Sequence, residues 1–342
     1  MMDRSSTEPH KTSGNEPHQT GTAEEPHNSV PPGKGPREAA LLATALNLTS
    51  MAVLEGHFES ARRAFRPGPP LWRRDAWVRS TLAQQALLAR LRVAPDATVM
   101  LRPENGGSET PLLTLTRPEE SLQDSMVEAV IRLKDDRTDR LPEILIQATD
   151  LWPFWTLVTG IQPERAPRTA ELMDVAAQLS PWIGQPLKHL LNIDRPSERS
   201  ARVQPLIAVP GHASYPSGHA TGAWLFATVM PALLGLADND PVVRMLHSMA
   251  GRISHNREVA GLHDELDSAA GRELGVTLGQ FFVACCQGGK VPTKLLWDPN
   301  RSIDPLGRNG SAVQVRPLEL LGQLWQASRQ ELGANASALT TS

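Results

Sequence analysis

Two positively charged residues, Lys188 and Arg195, have a spacing that could place both at one anion-binding site. Side chains seven residues apart lie on nearly the same face of an α-helix, two turns from each other. Pro196 disfavours helical backbone at the residue before it, so Arg195 is predicted at the end of this helix, where its side chain can turn into a cavity. Taken alone, such a pair is more common on a solvated helix surface.

The segment Tyr215-Pro216-Ser217-Gly218-His219 has the residue types of a helix that begins beside an anion. Ser217 suits the N-cap, and such a helix directs free backbone N–H groups and the positive end of its dipole at one point. Gly218 allows an anion to approach the backbone closely, and His219 places a titratable ring in the first turn. The alternative is a capped core helix with an incidental histidine.

A third pattern comprises Asn256-Arg257, His263 and Asp267. His263 and Asp267 are four residues apart, so on a helix the carboxylate can reach the imidazole and orient one ring nitrogen, which leaves the other available as a nucleophile. Arg257 would lie on a different face of a continuous helix. Gly261 offers a break, so that Arg257 ends one helix and His263 opens the next. The alternatives are a surface ion pair for Arg257 and a metal ligand or helix cap for His263.

Together the three patterns supply what a tetrahedral oxyanion requires, because a phosphoryl centre is processed mainly by positioning and charge stabilisation. The set contains three cations, two neutral donors, and a nucleophile, an acid/base and an orienting carboxylate. The cations are Lys188, Arg195 and Arg257, and the neutral donors are Ser217 and Gly218. The nucleophile is His263, the acid/base His219 and the orienting carboxylate Asp267.

The order and spacing of these blocks resemble the superfamily shared by type 2 phosphatidic acid phosphatases and vanadium haloperoxidases, over about residues 140 to 290. The resemblance implies that His263 is the nucleophile or vanadate ligand, His219 the acid/base and Asp267 the partner of His263. It also implies that the oxyanion is bound by Lys188, Arg195, Ser217, Gly218 and Arg257. Because the membrane-embedded members have several spans, the chain is expected to belong to the soluble branch.

Two positions depart from the pattern of the resembled superfamily. Asn256 stands where many members have serine before the arginine, and its amide can still form hydrogen bonds. Asp264 and Glu265 follow the predicted nucleophile where aromatic residues are frequent. These two carboxylates would weaken anion binding if they pointed into the site and would be irrelevant if they pointed outward.

The function predicted from these residues is hydrolysis of a phosphate monoester through a phosphohistidine intermediate, without a metal or other cofactor. A vanadate-dependent haloperoxidase would use the same pocket, with vanadate bound through His263. A non-catalytic oxyanion-binding or scaffold protein is a further alternative. A metallohydrolase is the last, with candidate ligands His212, His219, His255, His263 and Asp267.

The periodicity of apolar residues predicts an all-α chain, a helical bundle of the acid phosphatase and vanadium haloperoxidase type. Residues 97–116 are the exception, since two apolar runs flank a polar turn and predict a small β-hairpin. The predicted helices are Glu38–Phe65, Arg74–Val93, Glu119–Leu133, Leu141–Gly160, Thr169–Leu191, two that begin at Ser217 and near Val242, His263–Cys286, and a short one at Leu318–Leu332.

The predicted organisation has a disordered tail (1–36), a helical region with the hairpin (37–139), a catalytic core (140–290) and a C-terminal extension (291–342). The tail is rich in Pro, Ser, Thr, Gly, Glu and His, and offers little apolar area to offset the cost of ordering it. The aromatic cluster Trp152, Phe154 and Trp155 could line a pocket mouth but is expected to be core.

The net charge and the apolar segments of the sequence limit the classes of partner that are expected. The net charge of −3 gives no global basic field, so nucleic acid is not expected, and a small phosphorylated substrate, phosphate or vanadate is. Ala220 to Ala237 is uncharged for 18 residues, near the lower limit for a membrane span, but it contains Pro231 and is expected to be a buried helix. No signal peptide is visible, which favours the cytoplasm, and the adjacent Cys285 and Cys286 are expected to be buried thiols. The oligomeric state has no sequence signature.

Overall fold

A computed structural model describes Thr44, Trp72 and residues 74–103, 107–301 and 311–339, with the side chains of 334–339 excepted. The predicted tail and the predicted helix Glu38–Phe65 lie outside the described residues, apart from Thr44, which is helical. The described residues from Trp72 onward belong to one compact unit. The helices in this unit are α1 Ala76–Ala89, α2 Glu120–Arg132, α3 Arg137–Gln147, α4 Trp152–Thr159, α5 Pro167–Ala177, α6 Leu179–Leu191, α7 Pro196–Arg199, α8 Gly218–Leu234, α9 Pro241–Val259, α10 Glu265–Gln287 and α11 Glu319–Leu339.

The strands are short and form two small sheets. They are β1 Leu91–Val93, β2 Thr98–Leu101, β3 Thr110–Leu115, β4 Gly289–Pro292, β5 Leu295–Trp297 and β6 Ala312–Val315. The first sheet has the order β1-β2-β3-β5, antiparallel except for the parallel pair β3 and β5, and the second consists of β4 antiparallel to β6. The predicted all-α class with a small hairpin at 97–116 is therefore confirmed, with β2 and β3 as the hairpin.

The centre of the unit is the packing of α8 against α10. Helix α8 is apolar along its length, begins at the Ser217 N-cap and ends at Gly235, whose φ of 71° lies in the left-handed region that glycine tolerates. Helix α10 approaches it through glycines four residues apart. A Cβ atom at Gly271 would lie 2.6 Å from Ser217 O, and one at Gly275 would lie 2.4 Å from Thr221 O. Only hydrogen fits between the two helices here, which brings their N-terminal ends close together.

Several predicted element boundaries are wrong. Helix α1 ends at Ala89 and residues up to Val93 form β1, because β1 pairs with β2. The predicted helix Leu141–Gly160 is divided between α3 and α4, and Thr169–Leu191 between α5 and α6. The final helix is longer than predicted. The segment between α10 and this helix contains β4, β5 and β6, whose partners are distant in sequence. The domain boundaries at 139/140 and 290/291 stay predictions.

Two members of the aromatic cluster, Trp152 and Trp155, pack against the core, and Phe154 is half-buried. Trp155 is 2% exposed and stacks on Phe226 of α8, with ring centroids 4.3 Å apart and an interplanar angle of 6°. Trp152 meets the same ring edge-on at 5.7 Å. Cys285 and Cys286 are buried and form no disulfide, as predicted. Among the described helices none has the length and apolar character needed to cross a membrane.

Candidate active site

Lys188 and Arg195 are both buried and hold the loop that precedes α8. Lys188 Nζ donates hydrogen bonds to the carbonyl oxygens of Ala213 at 2.9 Å and Ser214 at 2.6 Å. Arg195 Nη1 donates to Leu262 O at 2.9 Å, so its guanidinium reaches the residue before His263. The two cations therefore join the loop before α8 to the loop before α10.

Their spacing of seven residues predicted that the two cations lie on one helix, and this prediction is wrong. Helix α6 ends at Leu191, and Asn192 takes a left-handed backbone with φ of 44°. Arg195 instead caps the short helix α7, and its backbone N donates to Glu198 Oε2 at 2.6 Å. The left-handed residue turns the chain back, so the arginine returns to the same region by a loop rather than along a helix face.

The segment Tyr215–His219 forms the predicted helix start. The Ser217 side chain accepts from Ala220 N as the N-cap, and Ser217 N donates to Asp267 O at 2.9 Å. A Cβ atom at Gly218 would meet no heavy atom of the described chain within 4 Å, so the backbone at the start of α8 is open to a close neighbour. This is the geometry that an anion needs at a helix N-terminus.

His263 lies in the loop before α10, two residues ahead of the first helical residue, and not on the helix as predicted. Its Nδ1 nevertheless lies 2.9 Å from Asp267 Oδ2. The same carboxylate oxygen accepts from the Ser214 hydroxyl, and Ser214 Oγ is 3.1 Å from His263 Nδ1. Because the ionised carboxylate accepts only, Nδ1 carries the proton and the lone pair lies on Nε2.

The protonation states of this pair follow from burial and charge. Desolvation lowers the pKa of His263 to about 4, although Asp267 opposes the shift, so the ring is neutral at pH 7. The pKa of Asp267 is lowered because the hydrogen bonds from His263 and Ser214 and the charge of Lys188 outweigh its desolvation. A neutral imidazole with a free Nε2 lone pair is the form that can attack an electrophile.

His219 is fixed by a main-chain carbonyl at the end of α3. Its Nε2 lies 3.1 Å from Gln147 O, and because a carbonyl only accepts, Nε2 carries the hydrogen and Nδ1 has the lone pair. Desolvation and then the charges of Arg257 and His263 lower the pKa of His219 to about 3. An anion bound nearby would raise this pKa by favouring the imidazolium.

Arg257, in the last turn of α9, is fully buried, and only some of its guanidinium N–H groups form hydrogen bonds. Its Nη2 donates to Ile144 O at 3.1 Å and to Gln147 Oε1 at 3.3 Å. Its Nε and Nη1 have no hydrogen-bond partner in the described part of the chain. Desolvation lowers its pKa to about 10, so the guanidinium keeps its charge at neutral pH with donors available for an acceptor. Gly261, with φ of 75°, provides the predicted break between α9 and His263.

The predicted site residues lie in contact or within electrostatic range of one another. Lys188 and Arg195 act on the pKa of His263, and Arg257 and Lys188 act on that of His219. Ser217 bonds to Asp267, and Gly218 separates Ser217 from His219. Three cations, a capped helix start, two imidazoles and one carboxylate thus surround one region, which is an arrangement suited to a small anion.

The two acidic residues after His263 have different positions. Asp264 is buried as the N-cap of α10, where its Oδ1 accepts from Asp267 N at 2.9 Å. Desolvation and the charge of Asp267 raise the pKa of Asp264 well above its usual value. Glu265 is exposed. Asp264 therefore serves as a helix cap, and Glu265 lies at the surface.

Two site residues carried no recognisable sequence pattern. Ser214 bridges His263 and Asp267, and Gln147 contacts both His219 and Arg257. Ser214 lies just before the Tyr215–His219 segment and could have been suspected from its position. Gln147 lies 72 residues before His219, and only the fold brings it to the site.

The residues considered for a metal centre do not gather into a ligand set. His255 pairs with Glu258 at 2.9 Å, and His212 Nδ1 lies 3.2 Å from Arg195 Nη2. Within the ranges that the structure describes, no group of three or more His, Cys, Asp or Glu side chains could hold a metal ion.

No family model matches the chain, and no curated protein matches it. Among solved structures, the chain is similar to a transmembrane PAP2-type phosphatidylglycerolphosphate phosphatase from Bacillus subtilis. The identity is 20%, the match covers 48% of this chain and 76% of that one, and the TM-score is 0.28. The functional interpretation therefore depends on the geometry of the site.

Proposed function

We propose that the protein is a phosphatase that hydrolyses a small phosphate monoester through a phosphohistidine, without a metal ion. The observation that carries the proposal is the neutral His263, whose Nδ1 is held by Asp267 while Lys188 and Arg195 lie close enough to act on its pKa. Phosphoryl transfer requires that the protein provide an oriented nucleophile and fixed positive charges around the phosphoryl group.

Buried positive charge supports an anionic substrate. Lys188 is 2% exposed, and Arg195 and Arg257 are 0% exposed. No carboxylate of the described chain forms a salt bridge with any of the three side chains. Burying a cation without an ionic partner is unfavourable, and the pKa of Lys188 falls to about 7 as a result. A bound dianion would offset this cost at all three positions.

The proposed reaction has two displacements at phosphorus. The bound phosphoryl group raises the pKa of His219, so its Nδ1 takes up a proton when the substrate binds. The Nε2 lone pair of His263 forms the N–P bond in line as the ester P–O bond breaks, and the leaving oxygen takes this proton from Nδ1 of His219. Water then attacks the phosphohistidine and gives its proton to His219, and the N–P bond breaks to release phosphate. Lys188, Arg195 and Arg257 stabilise the charge on the equatorial oxygens in both steps.

Vanadate has the shape and charge of phosphate, so the same residues would fit it, with Nε2 of His263 as the ligand. The haloperoxidase and the non-catalytic binder are therefore outcomes of one pair of assays. Purified protein is tested for hydrolysis of a chromogenic phosphate monoester with a chelator present, and for peroxide- and bromide-dependent halogenation after vanadate loading. Hydrolysis that persists in the chelator is expected. Halogenation without hydrolysis, or phosphate binding without either reaction, would contradict the proposal.

The affinity of the site for a dianion should fall as the pH rises above about 7. In the empty site Lys188 loses its proton near that pH, mainly through desolvation, and a bound anion favours the protonated form. Binding above this pH must therefore take up a proton, and the affinity should fall by up to about tenfold per pH unit. Sulfate is a suitable probe because its own charge is constant over this range, and isothermal titration calorimetry gives both affinity and proton uptake.

The matched variant for this prediction is Lys188→Met, which removes the titrating ammonium group and keeps an unbranched side chain only one atom shorter. Its sulfate affinity should be low and nearly independent of pH. An equal affinity of the unaltered protein for sulfate on both sides of pH 7 would show that Lys188 does not titrate in the site.

A further inference from the structure

Gln147, the last residue of α3, is 1% exposed and uses its polar groups in different ways. Its main-chain oxygen accepts from His219, as described above. Its side-chain Oε1 accepts from Asn256 Nδ2 at 3.0 Å and from Arg257 Nη2 at 3.3 Å. Its side-chain Nε2 is buried without a hydrogen-bond partner in the described chain.

The orientation of the Gln147 amide is set by its neighbours. Guanidinium N–H groups only donate, so the side-chain atom that faces Arg257 must be an acceptor. Asn256 is held in turn, because its Oδ1 accepts from Arg140 Nη1 at 3.2 Å and its Nδ2 also donates to Glu143 Oε2 at 3.0 Å. Exchanging the oxygen and nitrogen of Gln147 would set an NH₂ group against two donors. Nε2 is therefore the atom that is left as an unused donor.

The unused Gln147 donor lies beside other unused donors. Arg257 contacts Gln147 through Nη2 and Oε1, and its Nε and Nη1 also lack a hydrogen-bond partner in the described chain. A buried donor without an acceptor is unfavourable, so such groups are few in folded proteins and each requires an explanation. Three of them on two adjacent side chains point to a ligand that only accepts hydrogen bonds.

We propose that Gln147 is an oxyanion-binding residue, whose Nε2 donates to an oxygen of the bound phosphoryl group beside Arg257. The inference rests on the oxyanion site of the proposed function, but not on turnover. It also accounts for Asn256, whose side-chain carboxamide can donate to Gln147 while accepting from Arg140. A serine hydroxyl at this position has a single proton and could not donate to both Glu143 and Gln147.

A purely structural role for Gln147 makes a different prediction. In that case its only task is to accept from Arg257 and Asn256, and Gln147→Glu preserves both contacts and the main-chain oxygen. For a ligand donor, however, Gln147→Glu replaces an N–H group with a negatively charged oxygen that repels the anion. Gln147→Met removes the donor without adding charge but also removes the Oε1 acceptor, so the response of the Gln147 side-chain amide to phosphate is what separates the two roles.

The test is the affinity of the full-length protein for inorganic phosphate, measured by calorimetry. Gln147→Met should weaken binding about 10–100-fold, which corresponds to one hydrogen bond to a charged group, and Gln147→Glu should weaken it further. The matched control is Gln123→Glu, since Gln123 is also buried and accepts from an arginine, Arg199, but its Nε2 already donates to Pro118 O. This control should bind phosphate as the unaltered protein does.

A spectroscopic measurement keeps the test independent of how well the variants fold. In protein labelled with ¹⁵N-glutamine, the side-chain amide signal that is lost in Gln147→Glu should shift on addition of phosphate, whereas that of Gln123 should not. Phosphate binding with an unmoved Gln147 signal, or with unchanged affinity in both Gln147 variants, would overturn the inference. Binding through Gln147 without any hydrolysis would contradict the phosphatase alone, and no phosphate binding at all would contradict both.

Discussion

Replacing His263 with alanine should reduce the hydrolysis of a phosphate monoester to the background rate, a loss of roughly 10⁴-fold or more. The reason is that His263 provides the Nε2 lone pair that forms the covalent intermediate, and no second imidazole of the described chain has its ring held by a carboxylate inside the site. Steady-state kinetics on the purified variant, with the substrate used for the unaltered protein, measures the effect. A phosphohistidine trapped by rapid acid quench should disappear in parallel.

The matched control for this substitution is His255→Ala. His255 lies in α9, its Nδ1 pairs with Glu258 at 2.9 Å, and it contacts none of the predicted site residues in the described structure. This variant should keep its activity within a factor of about two, because His255 is half-exposed and its partner Glu258 lies outside the set of predicted site residues. If His263→Ala folded and retained full activity, His263 would not be the nucleophile and the proposed mechanism would be wrong.

The residues of the candidate site could be selected from the sequence because they stand in short local patterns. The Ser217 N-cap is a local property of the chain, and so is the reach of Asp267 back to His263. The backbone conformation between these patterns could not be predicted from the sequence. A helical spacing placed Lys188 and Arg195 on one helix, but the left-handed Asn192 ends α6, and tertiary contacts decide where Arg195 lies.

Contacts between distant segments explain the remaining differences. Gln147 had no motif around it, and its contacts to His219 and Arg257 exist only because the end of α3 meets the first turn of α8 and the last turn of α9. Strands β4 and β5 follow Gly288, in a segment for which no strand was predicted. They form because β6 and β3 offer unpaired backbone groups to them. Short strands of this kind are fixed by their partners rather than by their own residues.

Replacing Gly275 with alanine should lower the free energy of unfolding by about 3 kcal/mol, the upper part of the usual range for overpacking. The added Cβ would lie 2.4 Å from Thr221 O and 3.0 Å from Leu225 N. Both are backbone atoms of α8, so no side chain can rotate away and the two helices must separate. Urea denaturation followed by circular dichroism measures the change as a lower midpoint with an unchanged slope.

The matched control is Gly251→Ala, in the interior of α9. A Cβ atom at Gly251 would meet no heavy atom of the described chain within 4 Å, so the substitution should raise stability by up to about 1 kcal/mol through helix propensity. The contrast between two identical substitutions isolates the contact with α8.

Since Ser217 N donates to Asp267 O across the same helix pair, separation of α8 from α10 should also move the helix start away from His263. Gly275→Ala should therefore lose phosphate affinity as well as stability, and a variant with unchanged urea midpoint would show that the two helices can move apart without cost.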